Sequence, residues 1–391
     1  MTGPSTLTRL EHDDVMGTRR IYLDYNASTP VDPSVAEAMR RALEDADGNP
    51  SSTHWAGARA RATMDTGRRQ VAALLGCTPA EIVLTSGGSE ANNLALKGTF
   101  FVRHDRPAHI ITTAVEHPSI LAPCRFLERH GALVTYLPVD RTGLVDPDDV
   151  RRAIRSNTVL ISVMHANNEV GTIQPIEACA AIAHEHGIRF HTDAAQSVGK
   201  IDTRIDDLGV DMLSIAGHKF HAPKGVGALY VRTGTPLEPL IHGAGHEGGR
   251  RAGTESAMLA AALGAACTLA GDLAPMEGVR DLRDRLWSLL NTNFGDRVIL
   301  NGHLERRLPN TLNVSFVGHI GADVLAAIEG VAASTGSACH AGGVELSPVL
   351  AAMGVGPEIG QGTVRFSLGR GTRPEEIVEV VERLRRALST V

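Results

Sequence analysis

Two hydrophobic rhythms alternate through the middle of the chain. Between about residues 80 and 232, short β-rich apolar runs predict strands at 81–85, 109–113, 133–137, 159–164, 189–192, 212–215 and 227–231. Between several of them lie helix-length stretches, at 89–103, 118–130 and 175–186. Such alternation, with apolar strands, predicts an α/β fold: a mostly parallel central sheet with helices on both faces. Ligands of these sheets bind beyond the carboxyl ends of the strands. After about residue 255 the pattern changes. An Ala-rich helix at 255–270 and an Arg/Leu helix at 279–293 are followed by strands at 311–316 and 363–367 and a helix at 374–388. These elements predict a smaller α+β domain.

Composition narrows the class. The length of 391 residues suffices for two or three structural domains. With 43% hydrophobic and 21% charged residues, the chain reads as an ordinary globular protein. A net charge of −6 without long Lys or Arg runs gives no indication of a nucleic-acid-binding face. No apolar stretch approaches the roughly 18 to 20 residues of a membrane span, so no membrane is expected. The polar opening MTGPSTLTRLEHDDVMGTRR reads as a loose arm and lacks the apolar core of a secretory signal, so a cytoplasmic location is expected.

The five cysteines are odd in number and lack CxxC spacing, which argues against a disulfide framework and against a zinc site; no metal is expected. Cys77, Cys124, Cys179 and Cys267 sit in aliphatic contexts that suit buried, inert thiols. Cys339, in STGSACHAGG, lies among small polar residues where a thiol could be exposed.

Four segments carry candidate chemistry. In EIVLTSGGSEANN a strand runs into Ser86-Gly87-Gly88-Ser89 and a helix opens at Glu90, which suits either a tight strand–helix turn or an anion site at a helix start. In RFHTDAAQSVGK a strand delivers Asp193, with Gln196 three residues on; the carboxylate could hold a protonated ring nitrogen or cap a helix. In DMLSIAGHKFHAPKGVGALYV, Lys219 stands at a strand end among glycines and apolar residues, where desolvation would favour a neutral, Schiff-base-forming amine over a solvated charge. Lys224 is a rival, although its PKG context reads as a turn. His117, in VEHPSI, could serve chemistry or simply begin a helix. An anion turn, a ring-nitrogen carboxylate and a tethering lysine, each at a predicted strand end, are together what pyridoxal phosphate requires.

At these residues the chain resembles the cysteine desulfurases of the NifS/IscS group, class V aminotransferase-like enzymes of the fold-type I pyridoxal-phosphate class. The likeness runs through LDYNASTPVDP (23–33), GNPSSTH (48–54), TSGGSEANN (85–93), MHANNEVGTIQPI (164–176) and HTDAAQSVGK (191–200). It continues through GHKFHAPKGVGALYV (217–231), GAGHEGGRRAGTES (243–256), STGSACHAGG (334–343) and VRFSLGRGT (364–372), nearly the whole chain in collinear order. The resemblance implies an arm and small-domain segment at 1–28, a large cofactor-binding domain at 29–271 and a small domain at 272–391 carrying the cysteine loop.

The resemblance also assigns roles. Lys219 would tether pyridoxal 5'-phosphate and move the substrate's Cα proton. Asp193 would keep the ring nitrogen protonated, His117 would stack on the ring and assist proton transfer, and Gln196 would bond the phenolic oxygen. Gly88, Ser89 and His218 would hold the phosphate, with Thr254 reaching in from a second subunit of a homodimer. Asn168 and Arg365 would receive the carboxylate of L-cysteine. The Cys339 thiolate would attack the substrate sulfur, leaving alanine and a persulfide on a loop whose length is similar to that of members passing sulfur to acceptor proteins. Iron–sulfur and thio-cofactor assembly are the implied destinations. Three departures stand out: Ala216 where many relatives carry a phosphate-contacting serine, Gly248-Gly249 and Ala252 in a loop that usually reads ERxxRSGT, and His340 with a downstream SPVL, which is similar to selenocysteine lyases. A selenocysteine lyase or another carbon–sulfur lyase is therefore the alternative reading.

Overall fold

The computed structural model describes residues 19–102, 108–335, 339–340, 343–344 and 346–388, with 339–340 and 343–344 described as backbone alone. In chain order the first strands are β1 (Ile21–Tyr22), β2 (Ile82–Thr85), β3 (His109–Thr113), β4 (Leu133–Leu137), β5 (Thr158–Ser162), β6 (Arg189–Asp193), β7 (Met212–Ala216) and β8 (Gly227–Val231). There follow β9 (Val298–Asn301), β10 (Thr311–Phe316), β11 (Val331–Ala332), β12 (Cys339–His340), β13 (Gly343–Val344) and β14 (Thr363–Ser367).

Seven strands form one sheet in the order β2-β8-β7-β6-β5-β3-β4. Every pairing among β4, β3, β5, β6 and β7 is parallel, while β8 runs antiparallel to both its neighbours. The mostly parallel expectation therefore holds. The apolar runs explain the layering, because successive side chains of a strand point to opposite faces. Ile111, Ile161 and Leu213 face one core with the helices Trp55–Leu75, Ile176–Glu185 and Ala257–Ala270. Their neighbours Ile110, Leu160 and Met212 face the other, with Gly88–Val102 and Pro118–Glu128.

A second sheet, β14-β10-β9, is antiparallel throughout. The helices Pro275–Phe294 and Pro374–Leu388 pack in its core, the latter burying Ile377, Val380, Val381, Leu384 and Leu388 on one face. Ile21 and Leu23 join this core. Strand β1 pairs parallel with β11, and Asp24 bridges to Ser367 at the end of β14.

Local chemistry sets the boundaries. The Ala-rich helix begins at Ala257, two residues later than expected, because the Ser256 side chain accepts from the Leu259 N–H as an N-cap. The Arg/Leu helix begins four residues early, with Pro275 in its first turn, where proline's missing N–H costs nothing. The helices Pro33–Asp45 and Trp55–Leu75 were not anticipated. Gly67, inside the longer of the two, has the character of a breaker, yet a Cβ there would lie 2.2 Å from the Ala260 carbonyl oxygen. The glycine is the condition for the close approach of two helices.

Candidate active site

Five strand ends of the large sheet open onto one cavity of about 400 Å³, lined by Gly88, Ser89, His117, Asn168, Asp193, Gln196, His218 and Lys219. Arg365 joins them from β14. Nine of the sequence-predicted residues thus converge. Thr254 does not line this cavity; it is exposed on the segment before Ala257. The Cys339 thiol lies outside the described residues, and only the backbone hairpin of β12 with β13 is seen there.

After β2 the chain turns through Ser86 and Gly87, and a 15-residue helix starts at Gly88. Gly87 takes φ +148, a conformation that L side chains rarely adopt. A Cβ on Gly88 would come within 3.1 Å of the Ala216 Cβ, so Ala216 faces the turn. Unpaired N–H groups at this helix start suit an anion. The neighbouring loop departs from the usual pattern for a visible reason. Glu247 is buried and forms a two-pronged pair with Arg68, at 2.6 and 2.7 Å, while accepting from the Leu84 N–H of β2 at 2.8 Å. Gly248 and Gly249 that follow have φ of 65° and 82°.

His117 does begin a helix, whereas Asp193 opens a turn and caps no helix among the described residues. Asp193 ends β6, buried; one oxygen accepts from the Ala195 N–H at 2.9 Å and the other from Asn92 Nδ2 at 2.6 Å. Asn92 also donates to Ser119 Oγ, which stands 2.7 Å from His117 Nδ1. His117 caps the helix Pro118–Glu128 by accepting the Ser119 N–H through Nδ1. A neutral ring accepting at Nδ1 carries its proton on Nε2. Burial, with Lys219 assisting against Asp193, lowers the His117 pKa and favours that neutral form.

Lys219 follows β7. Its Nζ donates to the backbone oxygens of Asn26 and Ala27, at 2.7 and 2.9 Å. Burial first, then Arg365, brings its pKa down to about 8, with Asp193 and Asp24 pulling the other way. Lys224 lines the same cavity but is exposed. His218 is pushed down to about 4 by burial and then by Lys219 and Lys224, so it offers a neutral N–H rather than a charge. Arg365, 8% exposed, donates to Asp24 Oδ1 at 2.7 Å and to the Asn168 carbonyl at 2.8 Å, while its Nε has no partner among the described residues.

The remaining thiols differ from what a sulfur nucleophile needs. Burial pushes Cys124 and Cys179 up to about 12 and raises Cys267 as well. Cys77, expected to be buried, is half-buried, yet it too is raised to about 12. Among the described residues no group of three or more His, Cys, Asp or Glu could hold a metal, and no single helix is long and apolar enough to cross a membrane.

Several participants were not foreseen. Asn26 accepts from Lys219, Gln196 and Lys200 and donates to Thr311 Oγ1 at 2.8 Å. These four partners lie 170 or more residues away in sequence, so no local pattern announces them. Asn92 and Ser119 sit inside quoted motifs, where only the fold shows what they join.

A fold of this topology, with a lysine, a buried carboxylate and a helix start around one cavity at the sheet rim, defines a class. The chain belongs to the class V aminotransferase family, a pyridoxal-phosphate-dependent family whose model matches residues 21–380. Within it the chain is 47% identical to the cysteine desulfurase IscS of Dictyoglomus turgidum over 382 residues, covering 95% of this chain and 96% of that protein. The cysteine desulfurase IscS of Pectobacterium carotovorum is 44% identical over 375 residues, 94% of this chain and 92% of its own length. Among solved structures, a NifS-like protein superposes with a TM-score of 0.89 at 37% identity, covering 95% of this chain and all of that one. SspA in complex with cysteine superposes with a TM-score of 0.80 at 40% identity, covering 89% and 98%.

The residues present fit the cofactor. The cavity is of ligand size. The turn at Gly87-Gly88 offers an anion its helix start, Asp193 is a buried carboxylate for a cationic ring nitrogen, and Lys219 has an amine lowered toward neutrality.

Proposed function

We propose that this chain is a pyridoxal-phosphate-dependent cysteine desulfurase that converts L-cysteine to L-alanine and retains the sulfur as a persulfide on Cys339. The observation that carries the reading is the convergence of Lys219, Asp193, His117 and Arg365 on one cavity. Both flanks of the Cys339 segment support it. Ser334 exchanges backbone hydrogen bonds with Arg365, at 2.7 and 3.2 Å, and Ser347 Oγ donates to Glu169 at 2.5 Å, beside Asn168.

Gly88, Ser89 and His218 hold the cofactor's phosphate in this reading, Asp193 its ring nitrogen and Gln196 its phenolic oxygen, and Lys219 is its attachment point. When bound, the cofactor supplies an electron sink for charge released at the substrate's Cα. Arg365 and Asn168 bind the substrate carboxylate and so orient the Cα–H toward Lys219. The Lys219 amine, once free, takes that proton; its lowered pKa suits a base near neutral pH. His117, neutral and fixed by Ser119, presents Nε2–H to the cavity and moves a proton there. Cys339, as thiolate, attacks the sulfur of the bound cysteine. A sulfur–sulfur bond forms as the carbon–sulfur bond breaks. Its electron pair stays with the substrate's β-carbon, which takes the proton of the substrate thiol, and Lys219 returns the Cα proton so that alanine leaves.

The homodimer, with Thr254 of each subunit completing its partner's site, belongs to this reading. So do a cytoplasmic location, a sulfur-acceptor protein serving iron–sulfur or thio-cofactor assembly, and the division at 1–28, 29–271 and 272–391. The test is a brief exposure to L-cysteine followed by mass mapping. A 32-dalton adduct is expected on Cys339. Cys339→Ala is expected to lose at least about 100-fold in alanine formation under reductant; turnover at the wild-type rate would defeat the persulfide route.

A further inference from the structure

Lys200 lies in the turn after β6, 7% exposed. Its Nζ is 2.8 Å from Gln196 Oε1 and 3.1 Å from Asn26 Oδ1. Burial first, and then the cations Lys219 and Arg365, push its pKa well below a lysine's usual range. Lys200 does not line the main cavity; it borders a separate void of about 30 Å³ behind Lys219.

A buried lysine without an opposing carboxylate is costly, whereas an apolar residue of similar length would pack there at less cost. Its two bonds indicate what it does. A primary amide has one acceptor oxygen and one doubly donating nitrogen. With Oε1 turned to Lys200, Gln196 gives one Nε2–H to the Asn26 carbonyl at 3.0 Å and keeps the other for a ligand in the cavity it lines. With the amide reversed, Lys200 would face an NH2 group and lose the oxygen it donates to, and the cavity would face a carbonyl oxygen that repels an oxyanion. The second bond fixes Asn26, whose backbone oxygen receives Lys219.

We propose that Lys200 is a positioning residue of the cofactor site, setting Gln196 as a donor toward the cavity without touching the ligand. This rests on the pyridoxal-phosphate reading above. The experiment is a double-mutant cycle on cofactor affinity. Apoprotein is titrated with pyridoxal 5'-phosphate and followed by absorbance, for wild type, Lys200→Met, Gln196→Ala and the double variant.

Each single change is expected to weaken binding about 10-fold, and the double variant to be no weaker than Gln196→Ala within about 2-fold. The melting temperature of the Lys200→Met apoprotein is expected to be at least that of wild type, since a methionine suits the buried site. A structural defect would lower that temperature and add independently to the Gln196 loss. Unchanged affinity in Lys200→Met, or losses that multiply to about 100-fold, would overturn the proposal. If Lys200→Met gives no cooperative melt, Lys200→Gln replaces it in the same cycle and under the same criterion. Wild-type protein that takes up no cofactor defeats the functional reading and this one with it, whereas normal wild-type uptake with an additive cycle defeats only the role of Lys200.

Discussion

In the seven-stranded sheet the chemistry collects at strand ends, whereas in the three-stranded sheet it comes from the middle of a strand. Asp193 is the last residue of β6, Lys219 stands three residues beyond β7, and the turn before Gly88 follows β2 directly. Arg365 is the third residue of β14, opposite Asn313 of β10. Parallel strands share a direction, so their carboxyl ends make a common rim to which residues far apart in sequence are delivered together. Antiparallel strands have no such rim. The small sheet therefore contributes by projecting a long side chain from one face, and Arg365 must be held on both sides, by Asp24 and the Asn168 carbonyl, to arrive at the same place. One architecture supplies position through topology, the other through hydrogen bonds.

Arg365→Lys breaks the comparison most sharply. The two-pronged guanidinium becomes a single ammonium that cannot hold Asp24, Asn168 and a carboxylate in one plane. The value of kcat/KM for L-cysteine is expected to fall about 100-fold, chiefly through KM, with cofactor affinity unchanged. A wild-type KM would mean that the mid-strand arginine does not receive the carboxylate.

Glu116, between β3 and His117, tests the rim itself. One carboxyl oxygen accepts from Thr113 Oγ1 and the Met164 N–H, the other has no partner among the described residues, and burial raises the group from 4.5 to about 8. A group raised in the fold gives its full stability below its unfolded pKa and loses it as pH rises toward the folded value. The native rim is therefore expected to weaken between about pH 4.5 and 8. Glu116→Gln has no proton to lose. In urea unfolding, its stability relative to wild type is expected to rise by ~2–3 kcal/mol from pH 6 to 8. Parallel pH profiles would show that Glu116 is already ionised in the fold.

Ala216→Ser makes the smallest change. It returns a hydroxyl to the end of β7, facing the Gly88 turn, and is expected to tighten pyridoxal phosphate about 5-fold in equilibrium titration. Unchanged affinity would mean that the turn's own amides already satisfy the phosphate.

The rim was legible because its signals are local. Apolar runs ending in Ser86-Gly87-Gly88, Asp193 or Lys219 declare both a strand and what the strand delivers, and β3, β4, β8, β10 and β14 begin and end where the pattern put them. What escaped was made of long-range contact. Gly67 has the character of a breaker until Ala260 is seen against it, and Asn26 is one residue of a quoted motif until Lys200, Lys219 and Thr311 close around it. The role of Lys200 was hidden for the same reason, since nothing in QSVGK says that its amine points inward at an amide.

Asn26 has a further consequence, for the newborn chain. It is among the first described residues to leave the ribosome, yet its partners Asn310, Thr311 and Ser367 are made some 280 to 340 residues later. The full set of bonds around Asn26 therefore closes only once that late stretch has emerged, so the floor under Lys219 is completed by both sheets together.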